Sequence, residues 1–466
     1  MINTHEGALA HEHALDHGLE FFSKAGSLYD KTNTATFYGG EETALSLFQK
    51  TWIVNKEESM KLLLWLRDCR GGAGNRSGFR ACLGWLASHD PEWIKVNIDK
   101  IPEVGRWDDL KVLYTTKLQT EAAKLWAKSL QNGDVLAAKW ADRSDKFLQK
   151  ELGVNEADLR KMLAALRQQH IVEAKMCSNE WMNIAYKTVP SVAMSRYSKT
   201  FGKHDPEGFG AYKEALVKGT VEIHADTLFP HDCVRTCLHG DTAIADAQFN
   251  ALPNFIPEDE RIIVIADTSG SMDQLLGKSK VLQAVHVSQG MALYCSAKLS
   301  QTNPFYKKFI GFCHESKFVD WREHTFSSAV HDYKIFNHAV GSTRIDVALD
   351  SLLNTAKFYN VPQEMMPTTL LIVSDMQFTF GARTTKTTEV KKCMNLWVEN
   401  GYKVPKIVYW NTAGYAGQPD TVKGIDVGLI SGFSPAILKS VFSCSDFSPR
   451  GIMLKTLEKY NINIPE

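Results

Sequence analysis

The sequence predicts two architectures in one chain: an irregular helical-repeat domain followed by a doubly wound, mainly parallel α/β domain. Three observations carry this α plus α/β assignment. Between residues 40 and 250 the apolar residues recur with helical period almost throughout. After Arg261, short β-branched runs alternate with helical segments. The change of texture falls at residues 253–260 (PNFIPEDE), so the boundary is placed near residue 256. This leaves residues 1–30 as a peripheral lead-in, 31–255 as the helical domain and 256–466 as the α/β domain.

In the first half, amphipathic stretches are expected at 42–52, 58–66, 79–86, 121–130, 145–152, 155–166 and 209–216. The stretch 155–166 is the clearest. Asn155 can cap it, and Leu159, Met162, Leu163 and Leu166 fall at i, i+3, i+4 and i+7 on one face. Short helices joined by short loops over some 200 residues favour antiparallel pairs stacked as a solenoid, here without an exact repeat period. In the second half, strands are expected at 261–266, 308–313, 368–374, 405–410 and 425–430. Helices between them fall at 280–299, 344–353, 388–400 and 435–442. Continuous β-branched runs of this kind suit a parallel sheet covered on both faces.

Composition narrows the function. The 466 residues carry 53 basic and 53 acidic side chains, so no global field draws the chain to nucleic acid or anionic membrane. Residues 1–255 are likewise near balance, with 31 basic against 33 acidic. Any anion-binding surface must be sorted locally. A 44% hydrophobic content with 11 tryptophans excludes an intrinsically disordered chain. The nine cysteines are odd in number and lie in segments that build cores without staples, which implies reduced thiols in a cytoplasmic compartment. No run approaches the about 20 apolar residues of a membrane span, and the start of the chain lacks a secretory-signal pattern. The expectation is a soluble cytoplasmic protein, a monomer, with no membrane partner.

The first strand runs directly into Asp267-Thr268-Ser269-Gly270-Ser271-Met272. In an open α/β sheet, ligands collect at the carboxyl ends of strands. One carboxylate and two hydroxyls at i, i+2 and i+4 on such a loop can point into one small space. Thr343 lies in the loop GSTR before a later helix, and Asp375 sits just past a central strand. Hard oxygen donors of this set suit Mg²⁺, Ca²⁺ or Mn²⁺. DTSGSM, the threonine and SDM together resemble the metal-ion-dependent adhesion site of von Willebrand factor A domains. The resemblance implies that Ser269, Ser271 and Thr343 touch the metal and that Asp267 and Asp375 act largely through water. It also implies one open metal position for a partner's acidic side chain. The plainer alternative is that Asp267 and the serines cap the following helix. Asp346 reads as a first-turn helix carboxylate.

Two basic segments stand out in the helical half. Arg67, Arg70, Arg76 and Arg80 surround the glycine-rich connector of LRDCRGGAGNRSGFR. Glycines permit close backbone approach and a helix N-terminus can receive a phosphate, but an ordinary helix corner with solvated arginines accounts for the pattern too. In SRYSKTFGKH, Arg196, Lys199, Lys203 and His204 alternate with aromatic residues, a pattern that suits unpaired RNA or equally a helix with core-facing rings. With GRWDDL and VPSVAMSRYSKTFGKHD ahead of the adhesion-site motif, residues 30–440 resemble a family known only as a domain of unknown function. That family is similar to the Ro ribonucleoproteins with TROVE modules. The resemblance implies a HEAT-like helical ring closed by the von Willebrand domain. It also implies binding of structured or misfolded RNA through the arginines around 71–78 and the stretch 196–204.

Other constellations fail. His11, His13 and His17 lack metalloprotease spacing, and Cys233, Cys237 and His239 lack a second ligand pair. Asp108 and Asp109 suit a cap or an arginine pair, and Trp107 a core anchor. No nucleophile motif or acid/base frame is evident. The expected function is therefore binding without catalysis: a Ro-like ribonucleoprotein component. The alternatives are a metal-dependent protein-interaction adaptor or assembly factor, and a structural component of a larger particle.

Overall fold

The computed structural model describes residues 2–3, 9–10, 16–27, 43–168, 171–275, 282–336, 343–378, 389–412 and 426–466. Its first half is helical. In order these helices are α1 (His17–Lys24), α2 (Ala44–Val54), α3 (Lys56–Arg67), α4 (Arg76–His89), α5 (Pro91–Lys95), α6 (Lys100–Val104) and α7 (Gln119–Gln131). They continue as α8 (Val135–Trp140), α9 (Lys146–Leu152), α10 (Glu156–Gln168), α11 (Val172–Cys177), α12 (Ser191–His204), α13 (Pro206–Val217), α14 (Pro230–His239) and α15 (Thr242–Ala251). A 3₁₀ segment, Trp107–Thr115, follows α6.

Short polar side chains start many of these helices. Asp16, Asn55, Asn75, Asp134, Asp145, Asp205 and Asp241 each accept from backbone N–H groups of the first turn. Asn155 does the same for α10, accepting from Asp158 N at 2.9 Å. The stripe read from the sequence there is the face that packs, with Leu159 and Leu163 buried and Met162 and Leu166 against the core.

The second half is a six-stranded sheet: β1 (Ile262–Asp267), β2 (Lys308–Phe312), β3 (Ser316–Asp320), β4 (Thr369–Ser374), β5 (Lys406–Asn411) and β6 (Val427–Ser431). The spatial order is β3-β2-β1-β4-β5-β6, all parallel except β3. Helices α16 (Ala284–Ala297), α17 (Phe326–His331), α18 (Ile345–Phe358), α19 (Glu389–Glu399), α20 (Ile437–Ser443) and α21 (Pro449–Leu457) accompany it. Every residue of β1 and β4 is buried, as expected for central strands packed on both faces. The edge strand β3 was not expected from the sequence. Its SKFVD is too short and polar to stand out, and its exposed Lys317 and Phe318 mark it as a sheet edge.

Within the stretch 1–30, read from the sequence as a peripheral lead-in, the described residues 17–27 are an integral part of the molecule. Residues 18–27 are buried, and Phe22 packs on Trp65 with ring centroids 4.6 Å apart. Ser431 Oγ donates to Phe22 O at 2.6 Å, Ser27 Oγ donates to Asn411 O at 2.5 Å, and Gly432 N donates to Ser27 Oγ. A Cβ on Gly26 would stand 2.7 Å from Ser431 Oγ, so glycine is what admits this close approach. The segment is thus a wedge between α2–α3 and the β6 end of the sheet.

The hydrophobic core does not break where the secondary structure changes. One cluster runs from α1 through α10, resumes at α14–α15 and continues into the sheet. A separate cluster gathers Tyr186, Met194, Phe201, Phe209 and Ile244, so α11–α13 form a satellite body. At the other end, the start of α14 returns to the beginning of the helical half. Phe229 packs on Gly74, whose φ of +69° also calls for glycine. Helix α14 then packs against α16, bringing both ends of the helical half to the sheet.

Candidate functional site

Asp267 ends β1 and Asp375 follows β4. These adjacent strands flank the point where the chain reverses its direction of travel across the sheet, the place where open α/β sheets form their ligand crevice. Ala266 pairs with Val373, so the two loops leave the sheet side by side. Ser374 Oγ donates to Asp267 Oδ2 at 2.5 Å and Ser269 N donates to Asp267 Oδ1 at 2.9 Å. The Ser269 and Ser271 hydroxyls lie 3.1 Å apart. On the far side, Gln377 N donates to Asp375 Oδ1 at 3.1 Å, and Met376 takes a positive φ of +66° in turning the loop.

Thr343 enters from a third loop. Its neighbour Arg344 donates N–H to Cys313 O just past β2, while Thr268 N bonds Phe312 O at the end of that strand. Asp267, Ser269, Thr343 and Asp375 are fully buried, and Ser271 alone is partly exposed, so the cluster meets solvent at the serine loop. The hydroxyl of Ser342, which precedes Thr343 in GSTR, lies outside the described residues. Asp346 is not part of this group. Arg344 holds it in a two-armed pair at 2.8 and 2.6 Å.

This donor set fits a hard divalent cation. Burial first, and the charge of Asp375 second, push the Asp267 carboxyl above its usual range, against the lowering hydrogen bonds of Ser374 and Ser269. Two neighbouring buried carboxylates are held at an electrostatic cost that a cation would offset. Among the described residues no group of three or more His, Cys, Asp or Glu could hold a metal. The set here has two carboxylates and otherwise hydroxyls, which suits Mg²⁺ or Ca²⁺ better than a soft metal.

The basic residues divide into two groups. Arg67 is 3% exposed, and its Nε donates to Asp109 Oδ2 at 2.7 Å. Arg80 donates to the other Asp109 oxygen at 2.6 Å and pairs with Asp108 at 2.8 Å. The expectation that Arg67 and Arg80 contact RNA is therefore corrected: Arg67 is buried against Asp109, and the half-buried Arg80 is engaged by both GRWDDL carboxylates. Asp109 also accepts from Arg106 N, so this motif is a buried clamp. Arg70 and Arg76 remain exposed.

Helix α12 behaves as the alternation in its sequence requires. Met194, Ser198 and Phe201 are buried, while Arg196, Lys199, Lys203 and His204 face outward. His204 stacks on Trp181 at 4.2 Å. Beside the N-terminal part of this helix lies a cleft of about 950 Å³ whose lining includes Arg106, Lys139, Trp140, Arg167 and Arg196. Sequence reasoning missed its other members because they are scattered over four segments with no shared spacing.

Residues 261–458 match a family described as Domain of unknown function (DUF7788), and residues 127–255 match Domain of unknown function (DUF2828). The chain is also 25% identical over 483 aligned positions to Uncharacterized protein L728 of Acanthamoeba polyphaga mimivirus, spanning 90% of this chain and 82% of that protein. Among solved structures it is similar to the Ro (RSR) protein of Deinococcus radiodurans, with a TM-score of 0.36 and 14% identity over 97% of this chain and 96% of the other. Among the described residues no helix is long and apolar enough to cross a membrane.

Proposed function

We propose that this protein is a Ro-like ribonucleoprotein component that binds structured or aberrant RNA and catalyses no reaction. The observation that carries the reading is the outer face of α12. On a chain with no net charge, Arg196, Lys199 and Lys203 stand exposed together, and none has a carboxylate partner among the described residues. The stacked pair Trp181–His204 lies beside them. Exposed cations with neighbouring aromatic rings supply phosphate attraction and stacking surface. The test is fluorescence anisotropy with an RNA hairpin bearing a single-stranded tail. Binding should weaken with salt at a slope set by the phosphates contacted, and Lys199→Glu with Lys203→Glu should weaken it at least tenfold while the fold persists. Protein that binds no such RNA at low salt overturns the reading.

Asp267, Ser269, Ser271, Thr343 and Asp375 are proposed to hold Mg²⁺, or Ca²⁺ or Mn²⁺ in its place. When bound, the ion would supply a Lewis-acid position for an oxygen ligand. The partial exposure of Ser271 favours a second reading, in which a partner protein donates a carboxylate there. That reading expects Asp267→Ala and chelator to remove the same partner in a pull-down. Retention of the partner under both conditions sinks it.

A further inference from the structure

The cleft beside α12 separates the main core from the satellite body of α11–α13. Its lining carries four cations, Arg106, Lys139, Arg167 and Arg196, against one carboxylate, Glu173. That carboxylate is already engaged. Lys139 Nζ lies 3.3 Å from it, and Tyr197 OH donates to it at 3.4 Å. The three arginines have no carboxylate partner among the described residues.

Each arginine is held by something other than a charge. The Arg106 guanidinium lies over the Trp140 ring at 4.5 Å, which presents a flat cationic surface. Arg167 donates from its Nε and one terminal nitrogen to the carbonyls of Ala138 and Ala141, at 2.7 and 2.6 Å, and is among the residues that line the cleft. Arg196 projects from the exposed face of α12, its guanidinium 5.9 Å from the centre of the Tyr197 ring. Burial lowers the pKa of Arg106, and the nearby Arg76 and Arg67 lower it further against the opposing charges of Asp108 and Asp109; burial also lowers that of Arg167, against Asp142. An anion would relieve both effects.

Most of the remaining wall is apolar, including Ile171 and Val192, with Gln168 and Ser178 its polar side chains. Inorganic phosphate would leave that wall unused. An acidic peptide would leave the flat Arg106–Trp140 surface unused. A cavity of this size lies in the range of small-molecule sites.

We propose that the cleft binds a nucleotide unit, its phosphate held by Arg106, Arg167 and Arg196 and its base packed on the Trp140, Ile171 and Val192 side. The unit comes either from a free nucleotide or from an unpaired residue of an RNA strand. In the second case the proposal rests on the RNA reading above, to which it adds one defined seat.

Isothermal titration calorimetry of the full chain tests it with three probes: AMP, inorganic phosphate and a single-stranded tetranucleotide. AMP or the tetranucleotide should bind saturably and at least tenfold more tightly than phosphate. Arg106→Glu and Arg196→Glu should each weaken that binding at least tenfold. Arg196 stands at an exposed helix position, so its variant keeps the test decisive if Arg106→Glu fails to fold. AMP bound as well as the tetranucleotide identifies a free-nucleotide site, and preference for the tetranucleotide identifies a strand. Equal affinity for phosphate and AMP with no uptake of the tetranucleotide, or binding unmoved by the folded arginine variants, overturns the proposal. RNA binding that Lys199→Glu with Lys203→Glu abolishes but Arg106→Glu leaves intact defeats the cleft alone; Arg196 belongs to both surfaces, so its variant is read through AMP. AMP binding lost in the cleft variants, in a protein that takes up no RNA hairpin, supports the cleft and defeats the RNA reading.

Discussion

Asp109 is surrounded by charge it cannot give up. With no exposure of its own, it accepts from Arg67, Arg80 and the Arg106 backbone at once. Asp109→Ala should destabilise the protein by about 3–5 kcal/mol, because it leaves the Arg67 guanidinium buried and unpaired. Urea unfolding measures this, and a loss below about 1 kcal/mol would contradict the clamp. Asp267 should respond with the opposite sign. In chelator, Asp267→Asn should unfold at the same or higher urea concentration than wild type, since it removes one of two neighbouring buried carboxylates. Added Mg²⁺ should then raise the melting temperature of wild type alone, by the equivalent of about 2.7 kcal/mol at a hundred times its Kd. His231 gives a pH dependence. Burial lowers its pKa from 6.5, with Asp232 opposing and Arg235 reinforcing the shift. The unfolded chain therefore binds the proton first as pH falls, and stability declines from about pH 6.5 down to the lowered value, by up to about 1.4 kcal/mol per pH unit. His231→Gln should flatten that slope in unfolding curves at pH 7.5 and 5.5.

At the scale of elements, α1 shows how a short helix can hold distant parts together. It touches α2, α3, β6 and α21, and Arg450 of α21 reaches Asp16 and Glu58 across the same seam. Phe22→Ala should cost about 3–5 kcal/mol, as expected for an aromatic ring with no exposure. Gly26→Val should do comparable damage by forcing α1 away from Ser431. Differential scanning calorimetry distinguishes this wedge from a peripheral tail, whose substitution would leave the melting temperature unchanged. HGLEFFSK carries an apolar stripe beside polar residues, but eight residues are barely two turns, and nothing local records that the polar ones are buried too: Glu20 and Lys24 pair with each other at 2.7 Å inside the molecule. The strands β1 and β4 were legible for the complementary reason: residues buried on both faces form continuous apolar runs.

Over the whole molecule, both ends of the helical half return to the sheet, so the chain between α4 and α13 leaves and re-enters a common base. The satellite body joins that base through α15, where Ile244 faces one core and Ala245 the other. Legible in the sequence alone were the central strands β1 and β4, the DTSGS loop that follows β1 and the outward cations of α12. Each of these depends on spacings of a few residues along one strand or helix, which side-chain periodicity makes readable. Which arginines reach solvent was settled by long-range packing. Arg67 and Arg76 sit nine residues apart in one motif, yet one is sealed against Asp109 and the other faces solvent. The same packing brings Arg106, Trp140, Arg167 and Arg196 to line one cavity. Burial and charge pairing are set by neighbours far along the chain, and local spacing carries no record of them.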